Sequence, residues 1–272
     1  MTCPAKINLF LSVGPKDSTG YHPIRSVFQA VNICDTLEME TSEADGFSCS
    51  ENIDLPEDNT VTKAWRLARE YVDLPKLKVN LTKRIPSQSG FGGGSSDAAG
   101  FLRGLVKITN GKFGMNEAEE VARAVGSDVP FFLVGGMARA EGYGEIVTPL
   151  PESPTRQLVF IMPNCTVSTP CAYNELDKKP RALRPFPEDP FTPDNDFLEV
   201  APKESTEALK LIMGWGASTG GLTGSGAAVF GFFPSESHAN LTVFSAVERG
   251  LTVNSYAGAC RTMTHKESLW IS

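Results

Sequence analysis

The sequence predicts an α+β protein of two units, residues 1–150 and 151–272, and three observations carry that expectation. Period-two apolar alternation and helical apolar stripes follow one another through the first 150 residues. Pro149, Pro151 and Pro154 then make the best boundary. Beyond them strand and helix patterns alternate again, as suits helices layered on an antiparallel sheet. With 272 residues, 41% of them hydrophobic, the chain can bury a sizeable core in each unit.

Pro4 to Leu11 opens as a strand with Lys6 and Asn8 on one face and Ile7, Leu9 and Leu11 on the other. The pattern alone fits either a paired lysine and asparagine aimed at a site or a solvated face on an edge strand. Gly14 to Gly20 is a turn-rich loop, with Tyr21-His22-Pro23 directly after it. Ser26–Asn32 and Thr36–Glu40 read as two further strands. Asp58-Asn59 begins a helix with Val61, Ala64, Trp65, Ala68 and Val72 as its apolar stripe. Leu77, Val79 and Leu81 alternate with polar residues as a strand, and Ala98, Ala99, Leu102, Leu105 and Val106 recur at helical spacing. Ser95 or Ser96 is the expected N-cap of that helix, with Asp97 in its first turn. Asn116 and Glu119 read as the capping box of a further helix that Gly126 ends.

Asp128 stands alone in the apolar run Val129-Pro130-Phe131-Phe132, where a buried acid needs a partner. It suits a helix N-cap, and that role does not exclude catalysis. Gly135 to Pro149 has the pattern of a hairpin around Gly142-Tyr143-Gly144. In the second unit, Leu158–Met162 reads as a buried strand and Pro180–Pro193, with five prolines, as an irregular loop. Glu204–Met213 is helical, and Leu222 to Phe230 is a small glycine loop feeding a strand. A helix, Ser237–Arg249, and a strand, Leu251–Ala257, complete the pattern.

The net charge of −7 argues against a nucleic-acid surface, so an anionic ligand must be met locally. Six cysteines without metal-like spacing are expected to be reduced thiols. No segment approaches the length of a membrane span and there is no room for a charged leader before Pro4, so a soluble, untargeted, cytoplasmic protein is expected.

Between the Leu77–Thr82 strand and the helix after it lies Pro86-Ser87-Gln88-Ser89-Gly90-Phe91-Gly92-Gly93-Gly94-Ser95-Ser96. A glycine loop opening a helix offers unpaired N–H groups and the positive end of the helix dipole to an anion. The stretch fits neither G-x-G-x-x-G nor a Walker loop. A flexible linker is the bland alternative, but a linker need not sit between a strand and an amphipathic helix.

Three motifs in fixed order, Pro4-Ala5-Lys6-Ile7-Asn8-Leu9, Gly90-Phe91-Gly92-Gly93-Gly94-Ser95-Ser96-Asp97 and Thr223-Gly224-Ser225-Gly226-Ala227, resemble the GHMP kinases. Gly20-Tyr21-His22, Phe28-Gln29, Glu57-Asp58-Asn59, Gly126-Ser127-Asp128-Val129-Pro130 and Ala140-Glu141-Gly142 are most similar to the branch acting on a cytidine-diphosphate-linked methylerythritol in the non-mevalonate isoprenoid pathway. The resemblance implies the two-domain GHMP fold, a ribosomal-protein-like N-terminal α/β domain followed by helices on an antiparallel sheet. It also implies ATP-dependent phosphoryl transfer to the 2-hydroxyl of that small molecule, with Mg2+ accompanying the nucleotide. By the same resemblance Asp128 and Lys6 are catalytic, Pro86 to Ser96 binds ATP, Tyr21, His22 and Tyr173 recognise cytosine, and Asn8 meets the methylerythritol hydroxyls. Thr223 to Ala227 would brace the site. No nucleic-acid or membrane partner is implied, and the assembly is a monomer or homodimer. Ser87-Gln88-Ser89 departs from a stretch the family makes glycine-rich, and Tyr173 stands where phenylalanine is common. A kinase for homoserine or a mevalonate derivative is opposed by the cytosine-facing set, and a noncatalytic nucleotide-binding module by the presence of both Lys6 and Asp128.

Overall fold

The computed structural model describes residues 1–49, 55–248 and 255–270. Its first half runs β1 (Thr2–Val13), β2 (Ile24–Thr41), β3 (Gly46–Cys49), α1 (Thr60–Ala68), β4 (Leu77–Thr82), α2 (Gly93–Ile108), α3 (Met115–Val125), α4 (Val129–Val134), β5 (Met137–Glu141) and β6 (Ile146–Pro149). The second runs β7 (Gln157–Pro163), α5 (Thr169–Leu176), β8 (Asp194–Asn195), α6 (Lys203–Gly214), β9 (Thr219–Leu222), β10 (Val229–Phe233), α7 (Glu236–Glu248), β11 (Ser255–Arg261) and α8 (His265–Ser268). Arg249 and residues 251–254, which the expected last helix and strand included, lie outside the described residues. No helix among the described residues is long and apolar enough to cross a membrane.

Two sheets carry these elements, in the α+β class that the sequence predicts. The four-stranded sheet has the order β11-β7-β10-β9, all antiparallel, with α6 and α7 packed on it. The seven-stranded sheet is organised by β2, whose 18 residues unite what the sequence reads as two strands. One edge of β2 is used twice, by β5 along Ser26–Gln29 and by β4 along Thr36–Thr41, while β1 runs antiparallel along the other. The short strands β3 and β8 add in parallel to β4 and β1. Strand β1 is therefore interior, which removes the solvated-edge reading of Lys6 and Asn8.

The register of β1 slips between Asn8 and Phe10. Such a bulge reverses which side chains face which way. Ile7 and Leu9 pack with Phe91, Phe160 and Phe230 between the two sheets, joined there by Phe10, whereas Leu11 packs instead with Val159, Ile161 and Phe197. On the opposite side of the large sheet α2 carries the first core, where Phe101, Leu102 and Leu105 meet Val79, Leu81 and Phe131. Each such buried side chain contributes about 1.5–3 kcal/mol.

Helix starts are partly as expected. Asn59 caps α1, its Oδ1 accepting from Val61 N at 2.9 Å and Thr62 N at 3.1 Å. Helix α3 begins earlier than Asn116. Glu117 reaches back to Gly114 N at 3.0 Å, and Glu119 pairs with Arg123 one turn on instead of capping.

A buried charge cluster, unseen in the sequence, ties the base of α2 to the large sheet. Lys83 Nζ donates to Asp97 Oδ2 at 2.6 Å and to Asp35 Oδ2, while Asp35 Oδ1 also accepts from Arg84 N and, at 2.8 Å, Ile85 N. Burial pushes the Asp97 carboxyl up to about 7 against the pull of the Lys83 ammonium, and Asp35 adds to the rise. Removing one partner of a buried pair strands the other charge. Lys83→Ala is therefore expected to lower unfolding free energy by about 3–5 kcal/mol, measured by urea denaturation at neutral pH; a loss below about 1 kcal/mol, the level of an exposed pair, would contradict this account.

Candidate active site

The glycine stretch joins β4 to α2 and lies between β1 and the turn before β10. Lys6 N donates to Phe91 O at 2.9 Å and Thr223 Oγ1 to Gly90 O at 3.2 Å, so both halves of the chain hold it. Gly90 has φ +82°, and a Cβ there would lie 2.3 Å from Thr223 O. Gly92, with φ +74°, would bring a Cβ to 3.0 Å from the Phe132 ring and 3.3 Å from Lys6 Cγ. Only a residue without a side chain meets both demands.

Gly92 also occupies the N-cap position of α2, which corrects the expectation that Ser95 or Ser96 caps it. The helix starts two residues before Ser95, at Gly93, because the left-handed Gly92 turns the chain directly into it. No side chain caps its first N–H groups, which leaves them available to an anion; the bond from Thr60 Oγ1, at 2.7 Å, goes to the carbonyl of Gly94. Ser96 Oγ is buried and without a partner among the described residues.

Two cavities meet at this loop. One, of ≈ 380 Å³, is lined by Pro86, Ser87, Gln88 and Ser89 together with Asn59, Thr60 and Lys83. The other, of ≈ 1060 Å³, holds Lys6, Asn8, Tyr21, His22, Asp128 and Tyr173. Gly90, Gly92 and Ser95 line both, so the loop is their common wall. The larger cavity thus brings together every catalytic and acceptor-binding residue singled out in the sequence.

Lys6 Nζ lies 3.7 Å from Asp128 Oδ2. Burial pushes the ammonium below the ordinary lysine range, and Asp128 pulls it back up. Asp128 stands at the N-cap position of α4 but makes no capping bond, and its side chain is 31% exposed, toward the cavity rather than into the core. Its oxygens are therefore available.

Asn8 is more heavily bonded than expected. Its Oδ1 accepts from Lys6 Nζ at 2.6 Å, Gly224 N at 2.8 Å and Thr223 Oγ1 at 3.2 Å, and its Nδ2 donates to Ser26 Oγ at 2.9 Å. Its second amide hydrogen has no partner among the described residues. His22 Nδ1 bonds Gly14 O at 3.0 Å, and Nε2 lies 3.5 Å from Asp177 Oδ2. Tyr173, in α5, stacks on His22 with ring centroids 4.8 Å apart and meets Phe197 edge-on. Burial pushes its phenol up to about 12, with the Asp128 charge adding to the rise. Tyr21 is 66% exposed and packs on Tyr143.

Sequence reasoning did not single out Lys16 or Arg123, which add positive charge to the larger cavity, or Thr60 in the smaller one. Lys16 belongs to an irregular loop and Arg123 to the end of a helix, where only spatial proximity reveals them. The bonds of Thr223 and Gly224 to Asn8 span more than 200 residues and leave no local signal.

Fold and site together define a small-molecule kinase of the GHMP class. The family model for the GHMP kinases N terminal domain matches residues 59–136. A 4-diphosphocytidyl-2-C-methyl-D-erythritol kinase of Geobacter metallireducens is 33% identical over 255 residues, covering 88% of this chain and 90% of the relative. One from Caldicellulosiruptor saccharolyticus is 40% identical over 185 residues, covering 66% of this chain and 64% of the relative. A crystal structure of 4-(cytidine 5'-diphospho)-2C-methyl-D-erythritol kinase superposes with a TM-score of 0.80 at 28% identity, covering 96% of this chain and 98% of that one. A homoserine kinase from Cytophaga hutchinsonii, at 17% identity, TM-score 0.70 and coverage of 97% and 93%, shares the fold. The chain belongs to the 4-diphosphocytidyl-2-C-methyl-D-erythritol kinase family of GHMP kinases. Membership carries the reaction class, phosphoryl transfer from ATP to an alcohol.

Gly90→Ala is expected to weaken ATP binding by about tenfold or more, because the loop must move away from Thr223 to admit the methyl group, a distortion costing about 1–3 kcal/mol. Isothermal titration with ATP measures it; unchanged affinity would show that the close approach does not shape the nucleotide site.

Proposed function

We propose that the chain transfers the terminal phosphoryl group of ATP to the 2-hydroxyl of 4-diphosphocytidyl-2-C-methyl-D-erythritol, with ATP in the smaller cavity and the acceptor in the larger. The observation that carries this is the Lys6–Asp128 pair, 3.7 Å apart, in a cavity whose wall is the glycine loop. Across that wall a phosphoryl group leaving one cavity enters the other.

In a loose transition state negative charge spreads over the transferred group, and catalysis is mostly positioning and electrostatic stabilisation. The open first turn of α2 and Lys6 supply positive potential where that charge develops. Asp128, held near an ammonium, accepts the hydroxyl proton or orients the hydroxyl. Asn8 positions Lys6 and has its spare amide hydrogen for an acceptor hydroxyl.

The acceptor's base belongs at the Tyr21, His22 and Tyr173 end. Gly14 O only accepts, so His22 Nδ1 carries a proton and donates to it, while Nε2 lies beside the Asp177 carboxylate. Lys16 and Arg123 offer charge for the diphosphate. Mg2+ bound with ATP would draw charge from the phosphates. The unpartnered hydroxyl of Ser96, or that of Ser95, fits a hard cation's preference for oxygen, with phosphate and water completing the shell. The units 1–150 and 151–272 serve as the two domains of this enzyme, which works in the cytoplasm as a monomer or homodimer without a nucleic-acid partner.

Asp128→Asn is expected to lower kcat by at least ~100-fold while ATP still binds; near-normal turnover would overturn the role given to Asp128. His22→Ala should raise KM for the cytidylated acceptor more than KM for ATP, and equal effects on both would oppose base recognition. An ATP-consumption assay offering the cytidylated methylerythritol, homoserine and mevalonate side by side tests the whole assignment. Consumption with the first alone is expected, and consumption only with another would overturn it.

A further inference from the structure

The loop from Gly14 to Tyr21 contributes Lys16, Thr19, Gly20 and Tyr21 to the larger cavity, yet residues 15–21 are all exposed and no core holds them. Asp17 organises the loop from within. Its Oδ1 accepts from Thr19 Oγ1 at 2.6 Å and Thr19 N at 2.8 Å, its N–H donates to Tyr21 O at 2.9 Å, and its carbonyl accepts from Gly20 N at 3.0 Å. The turn so formed is fastened to one outside residue. Tyr143 donates its hydroxyl to Asp17 Oδ2 at 2.8 Å, meets Thr19 Oγ1 at 3.0 Å, and packs its ring on Tyr21 with centroids 5.6 Å apart.

Tyr143 is itself firmly mounted. It sits in the turn between β5 and β6, where its N–H donates to Glu145 Oε2 at 2.7 Å and Gly144 N to Glu141 O at 3.0 Å. The neighbouring Gly142 O accepts from Ile24 N at 2.8 Å, which joins this turn to the start of β2. The hydroxyls of Thr19 and Tyr143 hold the Asp17 carboxyl below its usual range, so the group that Tyr143 grips is an anionic acceptor.

We propose that Tyr143 is a positioning residue for the acceptor: through Asp17 it latches the 14–21 loop to the β5–β6 turn and so fixes Tyr21 as a wall of the base-binding end of the cavity. The inference rests on the reading that this cavity takes the cytidine-diphosphate-linked substrate. Without the latch the loop samples many conformations, and apparent affinity falls with the fraction that is competent to bind.

Tyr143→Phe keeps the ring and removes only the hydroxyl. The expected result is a KM for the acceptor raised about fivefold to tenfold, the size of a lost hydrogen bond to a charged group at a partly exposed site, with kcat and the KM for ATP held. Cytidine diphosphate, used as a competitive probe, should weaken by the same factor. Asp17→Ala, which also removes the two bonds from Thr19, should raise the acceptor KM at least as much as Tyr143→Phe, and the double variant should be close to Asp17→Ala alone, since the Tyr143–Asp17 contact is already lost there. Tryptic cleavage after Lys16 in the ligand-free protein reads the latch without any acceptor and should be faster in Tyr143→Phe. Unchanged cleavage together with unchanged acceptor KM would overturn the latch. If cleavage quickens but cytidine diphosphate fails to bind even the unaltered protein, the base-binding reading falls, and the role in acceptor binding falls with it.

Discussion

The cleft depends on the approach of two backbones, at Gly90 and at the Thr223–Gly226 turn. A side chain on Gly90 would collide with Thr223 O, and one on Gly224 would lie 3.1 Å from Gly90 Cα. Glycine on both sides makes the contact possible, and Asn8 makes it specific by bonding Thr223 and Gly224 from β1. The second sheet therefore does more than enlarge the core. It presses the glycine loop against β1, and Phe91 at the loop's centre is buried against Phe160 and Phe230 between the sheets. Loosening this contact would move the glycine turn and Lys6 together, since Lys6 N bonds Phe91 O and Lys6 Nζ bonds Asn8.

Charge is arranged locally against the overall balance. In a protein of net charge −7, Lys6, Lys16 and Arg123 line the larger cavity, and Asp128 is the carboxylate that lines it with them. Burying Lys6 is unfavourable in isolation, as the lowered ammonium pKa records. The same burial strengthens its field on any phosphoryl group nearby, because the protein around it screens charge less than bulk water does. The cost is offset by Asn8 and Asp128, neither of which closes the cavity.

Much of the site was legible in the sequence, and the reasons differ by residue. The glycine stretch shows itself by lying between a strand pattern and a helical stripe, and Lys6 and Asn8 by strand parity. Asp128 shows itself by polarity amid Val129 to Phe132. Their roles come from motif resemblance, since local pattern cannot say that residues 6 and 128 meet. What pattern missed follows from non-local pairing. β2 reads as two strands because its two halves face different neighbours, and β3 and β8 are too short to show alternation. The slip near Leu9 that sends Leu11 to another core has no composition of its own. Helix starts at Gly92 and Gly114 were misread because glycine caps through backbone geometry, whereas the nearby Ser95 and Asn116 have the side chains that usually cap.

Asp128 shows how a local misfit becomes chemical capacity. At the N-cap of α4 its carboxylate could take a backbone N–H of the first turn, as aspartate commonly does. It makes no such bond; Val129 N instead bonds Gly126 O at 3.1 Å, and Pro130 in the first turn of α4 has no N–H to offer. The helix starts without the carboxylate. Free of a capping bond and partly exposed beside Lys6, it keeps its lone pairs open to the larger cavity. In the transfer proposed above, where bond-making to the acceptor is weak in the transition state, aiming a hydroxyl at the wall shared by the two cavities matters as much as removing its proton.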